Sequence, residues 1–282
     1  MRHFDVVVVG GGPAGSSCAR QLTADGASAA VVDRADFPRL KLCAGWVTPQ
    51  AMAALDLTPE QYPHSFLTFR RFHVHLFGMH LKAKTLQHSV RRYEFDDYLL
   101  ARSGAPVFNH YVRNVVRHDG RYVIDDAFSC EYLVGAGGTK CPVYKTFFRE
   151  ANPRAKILQT VTLEHEFSYD WADGDCHLWF FKDKLPGYAW YVPKGKGHLN
   201  VGLGGMADKL KSRGGDIKQH WSRFKSCWAT NPSPATSTSN PPVIATTYAV
   251  TSRQFVSTTP SLWAMPSVWR LATSAKASDR QS

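Results

Sequence analysis

The chain has 282 residues, 44% of them apolar, and a formal charge of +11 from 34 Lys and Arg against 23 Asp and Glu. That length and apolar content suffice to bury a core in one domain or two interleaved ones, and they exclude a chain disordered throughout. The basic excess favours anionic partners such as phosphate-bearing cofactors or acidic lipid surfaces, and no nucleic-acid-binding signature accompanies it.

Residues 6–9 are too short for a signal-peptide core, and no run of about 18 apolar residues follows that could span a bilayer. A cytoplasmic chain, soluble or peripheral to a membrane, is expected. Cys18, Cys43, Cys130, Cys141, Cys176 and Cys227 show no C-x-x-C pairing, so reduced thiols are expected rather than a zinc site or a disulfide framework.

Residues 4–9 (FDVVVV) predict a buried strand, Gly10-Gly11-Gly12-Pro13-Ala14-Gly15 a tight turn, and residues 14–24 a helix with Cys18, Ala19 and Leu22 on its apolar side. This is a dinucleotide-binding fingerprint in its proper context. Gly10 permits the turn, Gly12 lets the backbone approach a pyrophosphate, and Gly15 lets the helix pack on the strand. Pro13 and Ala14 complete the turn at a helix N-terminus that faces the phosphates. A second strand over residues 29–32 ends in Asp33, where a carboxylate accepts hydrogen bonds from ribose hydroxyls, with Arg34 beside it in the same cofactor-binding stretch.

A nicotinamide-binding domain would continue with regular strand and helix alternation. Instead, RADFPRLKLCAGWVTPQAMAAL predicts a long loop and a short helix. FRRFHVHLFG is strand-like, and VRRYEFDDYLLARSG is an arginine pair opening a helix. His73 and His75 fit alternate positions on a strand. Neither they nor His80 and His88 are joined in the sequence by a Cys or carboxylate constellation, so no metal site is expected. Tyr188, Trp190 and Tyr191 lie in a segment that alternates like a half-buried strand. No second G-x-G-x-x-G occurs, so a permanently bound nicotinamide cofactor is not expected.

Together these motifs resemble the FAD-dependent geranylgeranyl-reductase-like oxidoreductases, which share the para-hydroxybenzoate-hydroxylase-like fold, over about residues 4–224. KLCAGW (41–46) is similar to that family's K-x-C-[AG]-G segment beside the flavin, and RYEFD (92–96) to its R-x-x-F-D. YLVGAGG (132–138) is similar to the strand and turn that return to the cofactor, and GYAWYVPKG (187–195) to its Y-x-W-x-[FV]-P-K signature.

The resemblance implies an α/β fold with a Rossmann-type FAD-binding domain, discontinuous over residues 1–65 and 90–150. A substrate-covering β-sheet region would occupy 66–89 and 151–205, with a helix over 206–224. It implies FAD contacts from Ala44, Gly45, Arg92, Gly135 and Gly137, a catalytic or flavin-adjacent thiol at Cys43, and substrate contacts from Tyr188, Trp190 and Pro193. The implied activity is reduction of carbon-carbon double bonds in an isoprenoid or other lipid, with FAD reduced by transient NAD(P)H or an electron-carrier protein. Monooxygenases and halogenases share the fold. Halogenases are expected to show W-x-W-x-I-P, whereas Tyr188 and Val192 stand at two of those positions here.

From Ser226 onward the composition changes. The last 57 residues contain no glycine, 20 Ser and Thr, and Asp279 as their single acid. Over residues 225–282 an irregular, disordered tail is expected, and its composition suggests translation out of frame. Trp and Met have single codons, and the first two bases of most other codons are fixed by the residue. With each codon started at the third base of the one before, residues 262–282 can encode VGDAVGLATRDLSEGIGPAV and residues 241–252 can encode AGYSYYLRRDV. Both resemble the next segments of the same family, in order. By the same resemblance the hidden GD would supply an aspartate to the ribityl and phosphate region, so the chain as written is expected to bind FAD poorly, with an inactive fragment as the alternative.

Overall fold

The computed structural model describes residues 1–155, 159–230 and 248–253. Its first half contains β1 (Arg2–Val9), α1 (Pro13–Ala24), β2 (Ala29–Asp33), β3 (Trp46–Val47), α2 (Pro49–Ala54), β4 (Phe66–Leu76), β5 (Met79–Val90), α3 (Arg92–Ala101), β6 (Val107–Asn109), β7 (Val115–His118), β8 (Arg121–Ile124) and β9 (Phe128–Gly135). There follow β10 (Gln159–Ser168), β11 (Cys176–Phe180), β12 (Gly187–Lys194), β13 (His198–Met206), α4 (Ala207–Ser212), α5 (Ile217–Thr230) and β14 (Tyr248–Arg253).

A six-stranded sheet runs β6-β2-β1-β9-β8-β7. β1 is central and parallel to both β2 and β9. This explains its unbroken valine run, since a strand covered on both faces has no polar side to present. Val6, Val8 and Val31 pack under Ala19 of α1 and Leu100 of α3, while Val7, Val9 and Val32 pack on the other face with Ile124, Phe128 and Cys141. α1 starts at Pro13, whose missing N–H is no loss in a first turn, and presents Gly15, Ser16 and Ala19 to the sheet.

The second sheet has eight strands in the order β14-β10-β13-β12-β11-β4-β5-β3. Side chains alternate between its faces. One face carries Phe69, Cys176, Leu178, Trp190 and Val192, and the other carries Leu163, Tyr191, Leu199 and Val201 against Trp221 and Phe224 of α5.

Three expectations need adjustment. Trp46–Val47 lies in the expected loop yet pairs with β5, so the first segment contributes to both sheets. The single helix expected over 206–224 is two, α4 and α5, parted at Gly214, whose φ of +64° ends α4. Within the tail expected to be irregular, α5 continues to Thr230 and β14 pairs antiparallel with β10, whose outer backbone groups would otherwise form an open edge. The remainder of that tail, including residues 262–282, lies outside the described residues.

Candidate functional site

The glycine turn sits where the topology reverses, with β2 on one side of β1 and β9 on the other, which is where open α/β sheets bind ligands. The two arms press together at Gly10. It has φ +115°, and a Cβ there would lie 2.5 Å from the Ala136 carbonyl carbon. A Cβ on Gly15 would overlap the Gly10 carbonyl oxygen. Gly12 differs, because its nearest neighbour would be Arg39 Nη2 at 3.4 Å. That opening is the approach a phosphate needs, at the N-terminus of α1 where Pro13 and Ala14 begin the helix. Asp33 braces the turn: its carboxylate accepts from Gly11 N–H at 2.7 Å and Ala35 N–H at 3.0 Å. Arg34 is exposed beside it.

A cationic cluster faces this turn. Arg92, opening α3, forks onto the fully buried Asp96 at 2.6 and 2.9 Å, and Arg39 approaches the same carboxylate at 3.4 Å. Burial works against the Arg92 charge, but hydrogen bonds to Asp96 and Cys43 outweigh it and raise its pKa. Partial burial, then the Arg92 and Arg39 charges, hold the Lys41 ammonium below its ordinary value. Three cations against one buried carboxylate leave a positive excess beside Gly12. The residues present therefore fit a diphosphate-bearing dinucleotide.

Cys43 hangs between this cluster and the second sheet. Its loop is fixed from the far side by the lysine that closes the Y-x-W-x-[FV]-P-K signature, a residue to which the sequence assigned no role. Lys194, fully buried at the end of β12, donates to the carbonyl oxygens of Ala44 and Val90, the latter at 2.9 Å. Gly45, at φ +65°, has no room for a Cβ beside the Val90 carbonyl oxygen and Lys194 Nζ. Burial lowers the Lys194 ammonium to about 8, against the pull of Glu166 and Glu164. Glu164, 4% exposed on β10, is pushed up to about 7 by burial, although its carboxylate accepts from the Cys43 backbone N–H and is drawn down by Lys194 and Asn200. A lysine closing an aromatic strand was the available signal for Lys194. Nothing local singled out Glu164.

The other expected residues fall in two groups. Gly135 and Gly137 lie at the end of β9, where a Cβ would meet Val143 and Cys141 respectively, so packing alone requires them to be small. On β12, Tyr188 is half exposed beside Phe180 and Trp190, with centroids at 5.3 and 5.9 Å. Trp190 is buried and donates to Asn200 Oδ1 at 2.8 Å. Pro193 is also buried, and its carbonyl oxygen accepts from Ser89, tying β12 to β5.

The β4 histidines gain carboxylate neighbours through topology, because β4 pairs with β11 and this brings the Asp173, Asp175 and His177 stretch beside His73.

Residues 5–220 match the family described as FAD dependent oxidoreductase. The chain is 31% identical over 226 residues to a menaquinone reductase of Mycolicibacterium smegmatis, covering 72% of this chain and 55% of that protein. It is 25% identical over 259 residues to a digeranylgeranylglycerophospholipid reductase of Picrophilus torridus, covering 79% and 61%. The chain spans about half the length of the curated relatives it matches. The solved structure of a geranylgeranyl bacteriochlorophyll reductase-like protein from Thermoplasma acidophilum shares the fold, with a TM-score of 0.67, 20% identity, and coverage of 82% of this chain and 63% of that one. With that family model matching residues 5–220, the chain belongs to the FAD dependent oxidoreductases.

Proposed function

We propose that this sequence derives from a reductase that saturates carbon-carbon double bonds in an isoprenoid or similar lipid chain. The observation that carries the reading is the joining of two surfaces at Cys43, with the cationic dinucleotide cluster on one side and the aromatic face of Phe180, Tyr188 and Trp190 on the other. Flat aromatic side chains suit a long apolar substrate. The names of the menaquinone and digeranylgeranylglycerophospholipid reductases support the same substrate class. FAD held by these residues would supply the hydride chemistry for one alkene carbon, with transient NAD(P)H or an electron-carrier protein as its external reductant. The other carbon needs a proton, and Cys43 is the candidate donor, held by Lys194 through Ala44 and by Glu164 through its backbone N–H.

In this reading the chain as written is impaired, because its frame is lost near codons 224–227 and the GD segment is missing. Two preparations test it: this chain, and a chain expressed from the gene with one base corrected there. Stoichiometric flavin is expected in the corrected protein alone, and full flavin retention by the chain as written overturns the impairment. Under anaerobic conditions with a chemical reductant, the corrected protein should add two hydrogens per double bond to a polyprenyl lipid. Cys43→Ala should slow that turnover about 100-fold with flavin content unchanged. A product formed only with oxygen would make the protein a monooxygenase or halogenase instead.

A further inference from the structure

The face of the second sheet opposite Cys176, Leu178 and Trp190 gathers four histidines and two aspartates that the reductase reading does not use. The register of parallel β4 and β11 sets His73 opposite His177, and the β4–β5 hairpin sets His80 opposite His75. His73 and His177 are buried at 8% and 4% exposure, with ring centroids 4.3 Å apart. His177 Nε2 lies 2.9 Å from Asp173 Oδ2, and His73 Nε2 lies 3.6 Å from Asp175 Oδ2. One ligand atom from each of His73, Asp173 and His177 falls within 4.8 Å of the other two.

We propose that His73, His177 and Asp173 bind a borderline divalent cation of the zinc class, with Asp175 beside them and a solvent-facing position for water. Two features distinguish this arrangement from a packed aromatic cluster. Both central imidazoles turn Nε2 toward a carboxylate and keep Nδ1 on a further histidine, at 3.1 Å for His73 with His80 and 3.3 Å for His177 with His75. A ligating histidine is typically oriented in this way through its other ring nitrogen. The carboxylate is also positioned independently of the histidines: Asp173 Oδ1 accepts from Asp175 N–H at 2.8 Å, and its backbone carbonyl accepts from the Tyr191 hydroxyl at 3.2 Å. Two imidazoles and one carboxylate suit zinc, cobalt or nickel, whereas magnesium and calcium require more oxygen ligands. The cation would tie the loop before β11 to β4, away from Cys43, so its role is structural. Arg71, at 2.8 Å from Asp175 Oδ2, keeps that second carboxylate paired whether or not a cation is present.

The test uses the full, untagged chain, stripped with a chelator and dialysed, then titrated calorimetrically with zinc chloride alone and melted with and without it. One equivalent of zinc and a raised Tm are expected, with no rise from magnesium or calcium. Asp173→Asn and His177→Gln should abolish the rise, and His75→Asn should weaken zinc binding about 10- to 100-fold. The exposed His118 and Asp119 pair provides the control, and His118→Gln should bind zinc as the parent does. An equal response to magnesium, no zinc uptake by the unmutated chain, or unchanged uptake in Asp173→Asn and His177→Gln would each overturn the proposal. The melting comparison among metals on the unmutated chain decides the matter even where a variant fails to fold.

Discussion

The glycine turn after β1 and the histidine face of β4 and β11 are both places where polar chemistry collects, yet the chain builds them differently. The turn is six consecutive residues whose partners Asp33 and Ala136 come from the end of β2 and the residue after β9, the two parallel neighbours of β1. The histidine face joins side chains 102 residues apart and exists only when the whole second sheet is in register. A site made from contiguous sequence fails through local backbone geometry, whereas one made from distant strands fails through the sheet that aligns it.

The largest expected effect lies in the turn. Gly15→Val places a side chain against the Gly10 carbonyl oxygen, where neither backbone can yield. It should cost more than about 4 kcal/mol and leave little soluble protein. Gly12→Ala meets only the tip of Arg39, at 3.4 Å, so urea unfolding should shift by under about 1 kcal/mol. In the frame-corrected protein Gly12→Ala should still weaken FAD binding, read by flavin fluorescence. Equal damage from both substitutions would break the distinction between a packing glycine and a ligand-facing one.

That distinction also explains what could be read in advance. The strand, turn, helix and Asp33 were legible because their physical demands fall on neighbouring residues: an apolar run, positive φ at Gly10, and close packing at Gly15. Arg92 was legible as a helix-opening arginine, but its partner Arg39 was not, since the two meet only at Asp96. His73 was visible but its meeting with Asp173, Asp175 and His177 was not, because that stretch lies about a hundred residues downstream and only the β4–β11 register brings it to β4. Trp46–Val47 was hidden for a related reason, as two residues carry no periodicity.

The next effect belongs to the second sheet. Lys194→Met keeps the stem but removes the ammonium that holds the Ala44 and Val90 carbonyls and sits near Glu164. Breaking a buried charged contact of this kind should cost about 3–5 kcal/mol in urea unfolding. The thiol of Cys43 should also react faster with a disulfide reagent, because the loop it occupies loses its anchor. A loss under about 1 kcal/mol would mean that the sheet, rather than the lysine, positions that loop.

The smallest effect has the clearest sign. Glu164 is pushed up to about 7 in the folded chain by burial, against an ordinary value of 4.5. The folded state therefore keeps a proton that the unfolded chain has released between those values. Its contribution is fully present below pH 4.5 and is lost as pH rises through 7. Glu164→Gln retains a neutral side chain of the same shape and should remove that decline. Between pH 5 and pH 8 the unsubstituted chain should lose about 2–3 kcal/mol relative to the variant. Lys194, lowered to about 8, titrates above most of that window. Below about pH 7 the comparison therefore reports mainly the carboxyl, and repeating it in Lys194→Met should move the decline to higher pH, because the cation that favours the ionised carboxylate is gone. Parallel pH profiles for Glu164→Gln and its parent would place the proton elsewhere and remove Glu164 from the support of Cys43.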